Sequence, residues 1–222
     1  MTGASSESHV SSAPSVLVKI CGVTRLEDAR AAVDGGARAI GFVFWPDSPR
    51  FIDPFNARAI RATLPPFVTA VGVFVNQPAE YVNGVASLVR LGALQLHGDE
   101  TPAFASRLSA PVLKALPLAT LTDATLAAWP DSAAVLLDVH DPVRRGGTGR
   151  TIDWDAAAAV AARRRIVLAG GLAPDNVADA VSRVRPFGID VSSGVEVSPG
   201  IKDHGRIRAL FEALHGSIPA RS

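Results

Sequence analysis

The sequence predicts an α/β fold, a single-domain (β/α)8 barrel of the TIM type, on three observations. Strand and helix signals alternate eight times from Val16 onward. The 222 residues, 48% of them hydrophobic, suit one sizeable core. A polar residue or a glycine follows each apolar run, where a parallel strand would finish. Eight such units in about 200 residues lie near the lower size limit of this barrel.

The predicted strands are short apolar runs, often rich in β-branched residues, as strands buried on both faces should be. The first ends at Cys21, the only cysteine in the chain, which therefore lies at a strand-to-loop junction. We expect the strands at residues 16–20, 39–44, 68–75, 93–96, 112–116, 134–137, 165–169 and 188–191.

Helical spacing of apolar residues fills the intervals between these runs. Gly22 and Thr24 predict a turn and the N-cap of the first helix, and Gly35 with Gly36 predicts its end. We expect helices at 25–35, from 54, at 78–90, from 101, and at 121–129, 155–163, 174–184 and 207–214.

An open doubly wound sheet is the alternative architecture for alternating strands and helices. A dinucleotide-binding sheet of that kind needs a glycine-rich fingerprint after its first strand, and there Gly22 stands alone. In a barrel, all eight strand ends face one site, so polar residues should collect at those ends.

The predicted strand ends do carry such residues. A single polar residue after a strand is most often a cap or a loop residue, but eight of eight strands share the pattern here. In chain order they are Cys21, Ser48 with Arg50, Asn76, Gln95 with His97, Lys114, Asp138, Gly170 with Gly171, and Asp190 followed by Ser192, Ser193 and Gly194.

The composition excludes several classes of partner. Lys plus Arg number 22 against 21 Asp plus Glu, so the net charge of +1 favours neither nucleic acid nor an anionic membrane. No apolar run approaches the roughly 20 residues of a membrane span. One cysteine excludes an internal disulfide and fits a reducing compartment, so we expect a cytoplasmic protein. Residues 1–15 lack the regions of a secretory signal and are expected to be a flexible tail before a barrel domain at 16–218.

Short motifs recur along the whole predicted barrel, at residues 19–22, 41–44, 48–50, 71–76, 94–98, 136–138, 146–149, 168–172 and 190–196. The glycine pairs near strands seven and eight would by themselves indicate only a phosphate-binding barrel. As a set, however, the motifs are highly specific, and they resemble the phosphoribosylanthranilate isomerase family of tryptophan biosynthesis.

This resemblance implies an Amadori rearrangement of a phosphorylated small molecule, in which a ribosylamine becomes an amino-deoxyribulose phosphate. One acid must protonate the ring oxygen as the C1–O bond breaks, and one base must take the C2 proton from the resulting iminium. The resemblance assigns Cys21 as the base and Asp138 as the acid.

Each role requires a tuned pKa. A free thiol near pKa 8.5 is only a few per cent thiolate at neutral pH, so a cation such as Lys19 or Arg50 would help Cys21 if it lies nearby. An aspartic acid must have its pKa raised to donate a proton, and the apolar residues 135–137 before Asp138 favour desolvation of its carboxyl.

The resemblance also implies the binding residues. Arg50 would hold the anthranilate carboxylate in a bidentate grip. Gly170, Gly171, Ser192, Ser193 and Gly194 would bind the phosphate, with a short helix at 195–196 adding its dipole. Asp190 would contact a sugar hydroxyl, and Gln95 and His97 would line the pocket. Residues 144–150 resemble a loop that covers the site, although a solvated linker is an equal reading.

Other functions fit the sequence less well. A metal-dependent sugar-phosphate epimerase needs several His and Asp ligands at strand ends, where only His97 and His140 are available, so we expect neither a metal nor a cofactor. A catalytically silent phosphate-binding barrel would lack Cys21 or Asp138. Indole-glycerol-phosphate synthase would require catalytic lysine and glutamate positions that the sequence does not offer convincingly. Monomer and homodimer both remain open.

Overall fold

The computed structural model describes residues 16–138 and 153–216, and it is a closed barrel of eight parallel strands. Each strand pairs with the next in the chain, and the eighth pairs with the first to close the barrel. The strands are β1 (Leu17–Ile20), β2 (Ala39–Val43), β3 (Thr69–Phe74), β4 (Ala93–Leu96), β5 (Val112–Pro117), β6 (Ala134–Asp138), β7 (Ile166–Ala169) and β8 (Gly188–Val191). The predicted fold class is therefore confirmed.

A helix follows each strand, and several helices begin at a side-chain cap. The carboxylate of Asp53 accepts the N–H of Phe55, and the hydroxyl of Thr101 accepts that of Phe104. The helices are α1 (Leu26–Gly35), α2 (Pro54–Arg61), α3 (Ala79–Val89), α4 (Pro102–Ala105), α5 (Asp123–Ala127), α6 (Trp154–Ala161), α7 (Val177–Val184) and α8 (His204–Gly216).

Alternation along the strands divides the core into two layers. In β2, Val43 points into the barrel and contacts Cys21 and Val73, whereas Phe42 belongs to the larger cluster under the helices. Phe44 just beyond β2 joins that outer cluster. Because both faces are buried, the strands carry apolar residues at successive positions, which is the pattern that the sequence shows.

The junction between β1 and α1 differs from the prediction. The sequence indicated Thr24 as the N-cap of α1, but the cap position is Arg25 and no side chain accepts a hydrogen bond there. The hydroxyl of Thr24 donates instead to the carbonyl of Gly200, at 2.6 Å. The predicted end of α1 is confirmed, since Gly36 adopts φ +116° and donates to carbonyls of the last turn.

A small hairpin after β8 was not predicted. Its strands are β9 (Glu196–Ser198) and β10 (Ile201–Lys202), and they pair antiparallel. The short helix expected at 195–196 is instead a single 3₁₀ turn at Ser193–Val195, because Glu196 is already extended with φ −109° and ψ 147°. The chain therefore forms a single 3₁₀ turn at this position, and that turn is too short to carry the dipole of a helix.

Several expectations fall on other parts of the chain. Residues 1–15, His140, the 144–150 loop and positions 217–218 of the predicted domain lie outside the described residues. Across the two described ranges, no helix is long and apolar enough to cross a membrane.

Candidate active site

At the carboxyl end of β1, a buried lysine brings the unique thiol next to a carboxylate. Lys19 Nζ lies 2.9 Å from Asp190 Oδ1 at the end of β8, and both side chains are less than a tenth exposed. Gly41 in β2 makes this possible, since a Cβ there would lie 2.9 Å from both Cys21 Sγ and Lys19 Nζ. Lys19 therefore reaches Cys21, a point that strand alternation alone left undecided.

Burial and charged neighbours act in opposite directions on the pKa values of Cys21 and Lys19. Burial and the negative charge of Asp190 raise the pKa of the Cys21 thiol, while Lys19 and Lys202 oppose that rise without reversing it. Burial lowers the pKa of Lys19, but Asp190 and Cys21 together raise it above its usual value. Lys19 is thus the nearby cation that the sequence indicated. It lowers the pKa of the thiol by less than burial and Asp190 together raise it.

Arg50 lies at the same end of the barrel, held by a carboxylate that the sequence analysis did not single out. Its Nε and Nη2 donate to Glu196 at 2.9 Å and 2.7 Å in a bidentate pair. Gly22, at φ +73°, lets Arg50 lie against the end of β1, because a Cβ there would come within 2.5 Å of Arg50 Cδ. In the described residues no acceptor contacts Nη1, so these residues do not use the second edge of the guanidinium.

Gln95, His97 and Asp138 form a second polar group across the barrel mouth. Gln95 Nε2 lies 3.1 Å from His97 Nδ1, and His97 Nε2 lies 3.4 Å from Asp138 Oδ2. Gln95 is 1% exposed, and its Oε1 has no hydrogen-bond partner among the residues that the structure describes. β6, which carries Asp138, is separated from β1 by β7 and β8.

The predicted phosphate residues lie on the loops after β7 and β8. Gly170 and Gly171 adopt φ +98° and +66°, which few other residues tolerate. Gly194 packs against the backbone of Leu172, where a Cβ would overlap the carbonyl oxygen, so the two loops touch. Within the described chain, the N–H groups of Gly171 and Gly194 donate to no protein acceptor.

Lys114, which follows the same polar pattern, does not belong to this group. Its neighbours Leu113 and Ala115 pack inside the barrel, so Lys114 points outward and its Nζ lies 3.0 Å from Glu100 Oε2. A cavity of about 530 Å³ lies at the opposite, amino end of the strands, lined mainly by apolar residues such as Phe67. We assign the site to the carboxyl ends, where the polar groups converge, because active sites of this fold lie there.

Sequence reasoning missed Lys202 and did not single out Glu196. Lys202 Nζ lies 2.8 Å from Glu196 Oε1 and also donates to the backbone carbonyl of Cys21. The available signal was the Pro-Gly pair at 199–200 between these two residues, which is typical of a tight turn and would have placed their side chains together.

The fold and its polar strand ends define the class of (β/α)8-barrel enzymes, whose active sites lie at the carboxyl ends of the strands. The family model for N-(5′-phosphoribosyl)anthranilate (PRA) isomerase matches residues 18–213. The chain therefore belongs to the phosphoribosylanthranilate isomerase family.

Individual relatives agree with this assignment. The N-(5′-phosphoribosyl)anthranilate isomerase of Geobacter sulfurreducens is 48% identical over 90% of this chain and 99% of its own length. The crystal structure of phosphoribosylanthranilate isomerase from Thermotoga maritima superposes with a TM-score of 0.84, at 46% identity over 90% of this chain and 99% of that one.

A third relative was solved with a ligand. This phosphoribosylanthranilate isomerase is in complex with reduced 1-(o-carboxyphenylamino)-1-deoxyribulose 5-phosphate. It matches with a TM-score of 0.79 and 42% identity, over 90% of this chain and 99% of that one. As a member of the family, the chain is an isomerase of tryptophan biosynthesis that acts on N-(5′-phosphoribosyl)anthranilate.

Proposed function

We propose that Cys21 is the base and Asp138 the acid of the family's Amadori rearrangement in this chain. The observation that carries the proposal is the buried Cys21 thiol in contact with the Lys19 ammonium at the end of β1, while Asp138 ends β6 on the same face of the barrel. The two groups thus stand on separate strands around one mouth, as an acid and a base that act at two atoms of one substrate require.

The proposed reaction has two proton transfers. Asp138 donates a proton to the ring oxygen as the C1–O bond breaks, and the anilino nitrogen lone pair forms the iminium. The Cys21 thiolate then removes the C2 proton, and the C2–H electrons form an enolamine that tautomerises to the ketone. Lys19 stabilises the thiolate by its positive charge, and His97, 3.4 Å from Asp138, orients the carboxyl.

The binding roles follow the charges of the substrate. Arg50 offers the guanidinium edge with Nη1 to the anthranilate carboxylate, since its Nε edge is bound by Glu196. Gln95 offers its buried Oε1 to a substrate donor, and Asp190 has Oδ2 for a ribose hydroxyl while Oδ1 binds Lys19.

The phosphate role falls on the loops after β7 and β8. The backbone N–H groups of Gly171 and Gly194, which donate to no described protein acceptor, are the donors proposed for the phosphate oxygens. Gly170, Ser192 and Ser193 complete the loops that carry them.

Substitutions of the acid and the base test the proposal. Cys21→Ser and Asp138→Asn should each lower kcat by about 10² to 10⁴-fold, because neither replacement exchanges a proton at neutral pH and such catalysis is worth about that much per group. Loss of the substrate's fluorescence measures the rate, and circular dichroism with calorimetric binding of the reduced product analogue checks that fold and phosphate binding persist. A Cys21→Ser variant with near-wild-type kcat would make the thiol a packing residue.

Metal independence and location belong to the same proposal. Within residues 16–138 and 153–216, no group of three or more His, Cys, Asp or Glu side chains could hold a metal ion. We expect activity to survive a chelator, and loss of activity that a divalent ion restores would contradict this. Cell fractionation would test the cytoplasmic location that the single cysteine favours.

A further inference from the structure

We propose that Lys202 is a positioning residue for Arg50, the residue proposed to bind the anthranilate carboxylate. Its ammonium offsets the charge of Glu196, so that Glu196 orients Arg50 without cancelling the positive charge that Arg50 presents to the substrate carboxylate. The inference rests on the proposed role of Arg50.

The geometry places one carboxylate between two cations. Glu196 Oε1 lies 2.8 Å from Lys202 Nζ and accepts Arg50 Nε at 2.9 Å, while Oε2 accepts Arg50 Nη2 at 2.7 Å. The Glu196 side chain is 4% exposed, so the medium screens these charges weakly. Two positive charges and one negative charge leave the cluster with a net charge of +1, which suits a ligand that carries a carboxylate.

Lys202 cannot act on the substrate directly. Its side chain is 0% exposed, and its three N–H donors reach Glu196 Oε1, the carbonyl of Cys21 and the carbonyl of Ser192. An ammonium has three donors, so all of them are used by the protein. Lys202 therefore acts only through Glu196 and the two backbone segments.

Glu196 is constrained enough to orient an arginine. Besides the two cations, its Oε1 accepts the N–H of Gly200 at 3.2 Å, and its own carbonyl accepts Arg206 Nη1 at 2.8 Å. Burial would raise the pKa of Glu196, but the hydrogen bonds from Arg50 and Lys202 lower it below the usual value. The carboxylate is thus ionised at neutral pH and would neutralise Arg50 if Lys202 were absent.

The test compares two ligands that differ only in the carboxyl group. The probes are the reduced product analogue, reduced 1-(o-carboxyphenylamino)-1-deoxyribulose 5-phosphate, and the same molecule without its carboxyl. The ratio of their dissociation constants, measured by calorimetry, isolates the carboxylate grip because both ligands carry the phosphate. We expect Lys202→Met to reduce the preference for the carboxylated analogue by about tenfold or more, the usual range for a charge-assisted hydrogen bond.

A double variant distinguishes two roles of Lys202, which are compensation of the Glu196 charge and structural support of the backbone. Lys202→Met with Glu196→Gln removes both charges, so Arg50 regains its net positive charge and the preference should recover most of the loss. If Lys202 were only a brace for the Cys21 and Ser192 carbonyls, the double variant would bind no more selectively than the single one. That result, or a single variant with the wild-type ratio, would overturn the proposal.

The controls keep the outcomes distinct. Lys114→Met removes another lysine that is 4% exposed and paired with a buried glutamate, and it should leave the ratio unchanged. Lys202→Gln, which keeps an N–H donor but not the charge, replaces Lys202→Met if the latter does not fold. Absence of any preference in the wild type would refute the role of Arg50 and the inference with it, whereas a wild-type preference that survives loss of the charge would refute the inference alone.

Discussion

At the scale of the residue, the pKa of the Cys21 thiol is raised even though a cation, Lys19, lies beside it. Lys19 contacts it, but the thiol is 7% exposed and Asp190 faces the same lysine. Burial comes first among the causes that raise its pKa, and the charge of Asp190 comes second. The thiol is therefore mostly protonated at neutral pH, and the thiolate that forms is a correspondingly strong base.

This balance predicts the pH dependence of thiol reactivity. Because a raised pKa means that thiolate accumulates only above the usual value of about 8.5, alkylation of Cys21 by iodoacetamide should still accelerate above that pH. Asp190→Asn removes a charge that raises the pKa, so the profile should move to lower pH. Mass spectrometry can follow the reaction at this one cysteine, with the urea-unfolded protein as control. A shift to higher pH in the variant would contradict the assignment.

Arg50 predicts a different kinetic signature. A carboxylate grip persists from the ground state to the transition state, so Arg50→Ala should raise KM more than it lowers kcat. The expected rise is about tenfold or more, in line with a charge-assisted bidentate contact. Steady-state kinetics in the fluorescence assay give both constants. A fall in kcat at constant KM would mean that Arg50 acts in the chemical step.

At the scale of the element, Asp28 joins α1 to β10 and α8. Its side chain is 0% exposed and accepts Arg25 Nη2 at 2.8 Å, the N–H of Lys202 at 3.1 Å and, at 2.8 Å, His204 Nε2. Burial would raise the pKa of Asp28, but these donors lower it below its ordinary value. This carboxylate and that of Glu196 both bind the backbone of the unpredicted hairpin, at the N–H groups of Lys202 and Gly200.

The lowered pKa of Asp28 means that its ionised form stabilises the folded protein. It contributes free energy of unfolding that is fully present above the ordinary carboxyl pKa of about 4 and is lost as the pH falls through the lowered value. Asp28→Asn should therefore cost about 2 kcal/mol near pH 7 and progressively less in acid. Urea unfolding at several pH values measures this difference.

A surface aspartate provides the control. Asp123 pairs with Arg163 at 2.9 Å, but its side chain is 82% exposed. Asp123→Asn should change stability by less than about 1 kcal/mol at any pH, as exposed ion pairs do. Equal pH profiles for the two variants would show that the contacts of Asp28 contribute little.

At the scale of the whole molecule, closure of the barrel brings the two ends of the fold together. β1 pairs with β8 over four register positions, including Lys19 opposite Asp190, which builds one wall of the site. The described barrel starts with β1 at Leu17, and the family match starts at residue 18. All the described fold and site residues therefore follow the predicted tail.

Removal of residues 1–15 tests the predicted boundary between the tail and the barrel domain. The shortened chain should keep its kcat/KM, and its Tm should change by less than about 2 °C, since 1 kcal/mol shifts the Tm of a domain this size by about 2–4 °C. Differential scanning calorimetry and the fluorescence assay, with the full chain as reference, measure both. A larger loss would assign the segment a role in the barrel or its site.

Local sequence was enough for the architecture and for the strand-end positions from which the candidate site was predicted. The strand and helix periods appear within a few residues, and the end of each strand is visible as the point where an apolar run stops. Cys21, Arg50, Asp138 and the glycines after β7 and β8 were found in this way. The cap of α1 was less accessible, because the hydroxyl of Thr24 bonds to the distant carbonyl of Gly200 instead of capping the helix.

The partners of the site residues were decided only by the tertiary structure. Lys19 and Asp190 are 171 positions apart in the chain, and Arg50 and Glu196 are 146 apart. A motif shows that a charge is present at a strand end, but its direction and its neighbours depend on barrel closure and on small residues such as Gly41, which leaves room for Lys19 and Cys21. The sequence by itself determined where the strands end and which polar residues and glycines stand at those ends. The fold decided which charges balance one another, because electrostatic pairing depends on distance in space rather than along the chain.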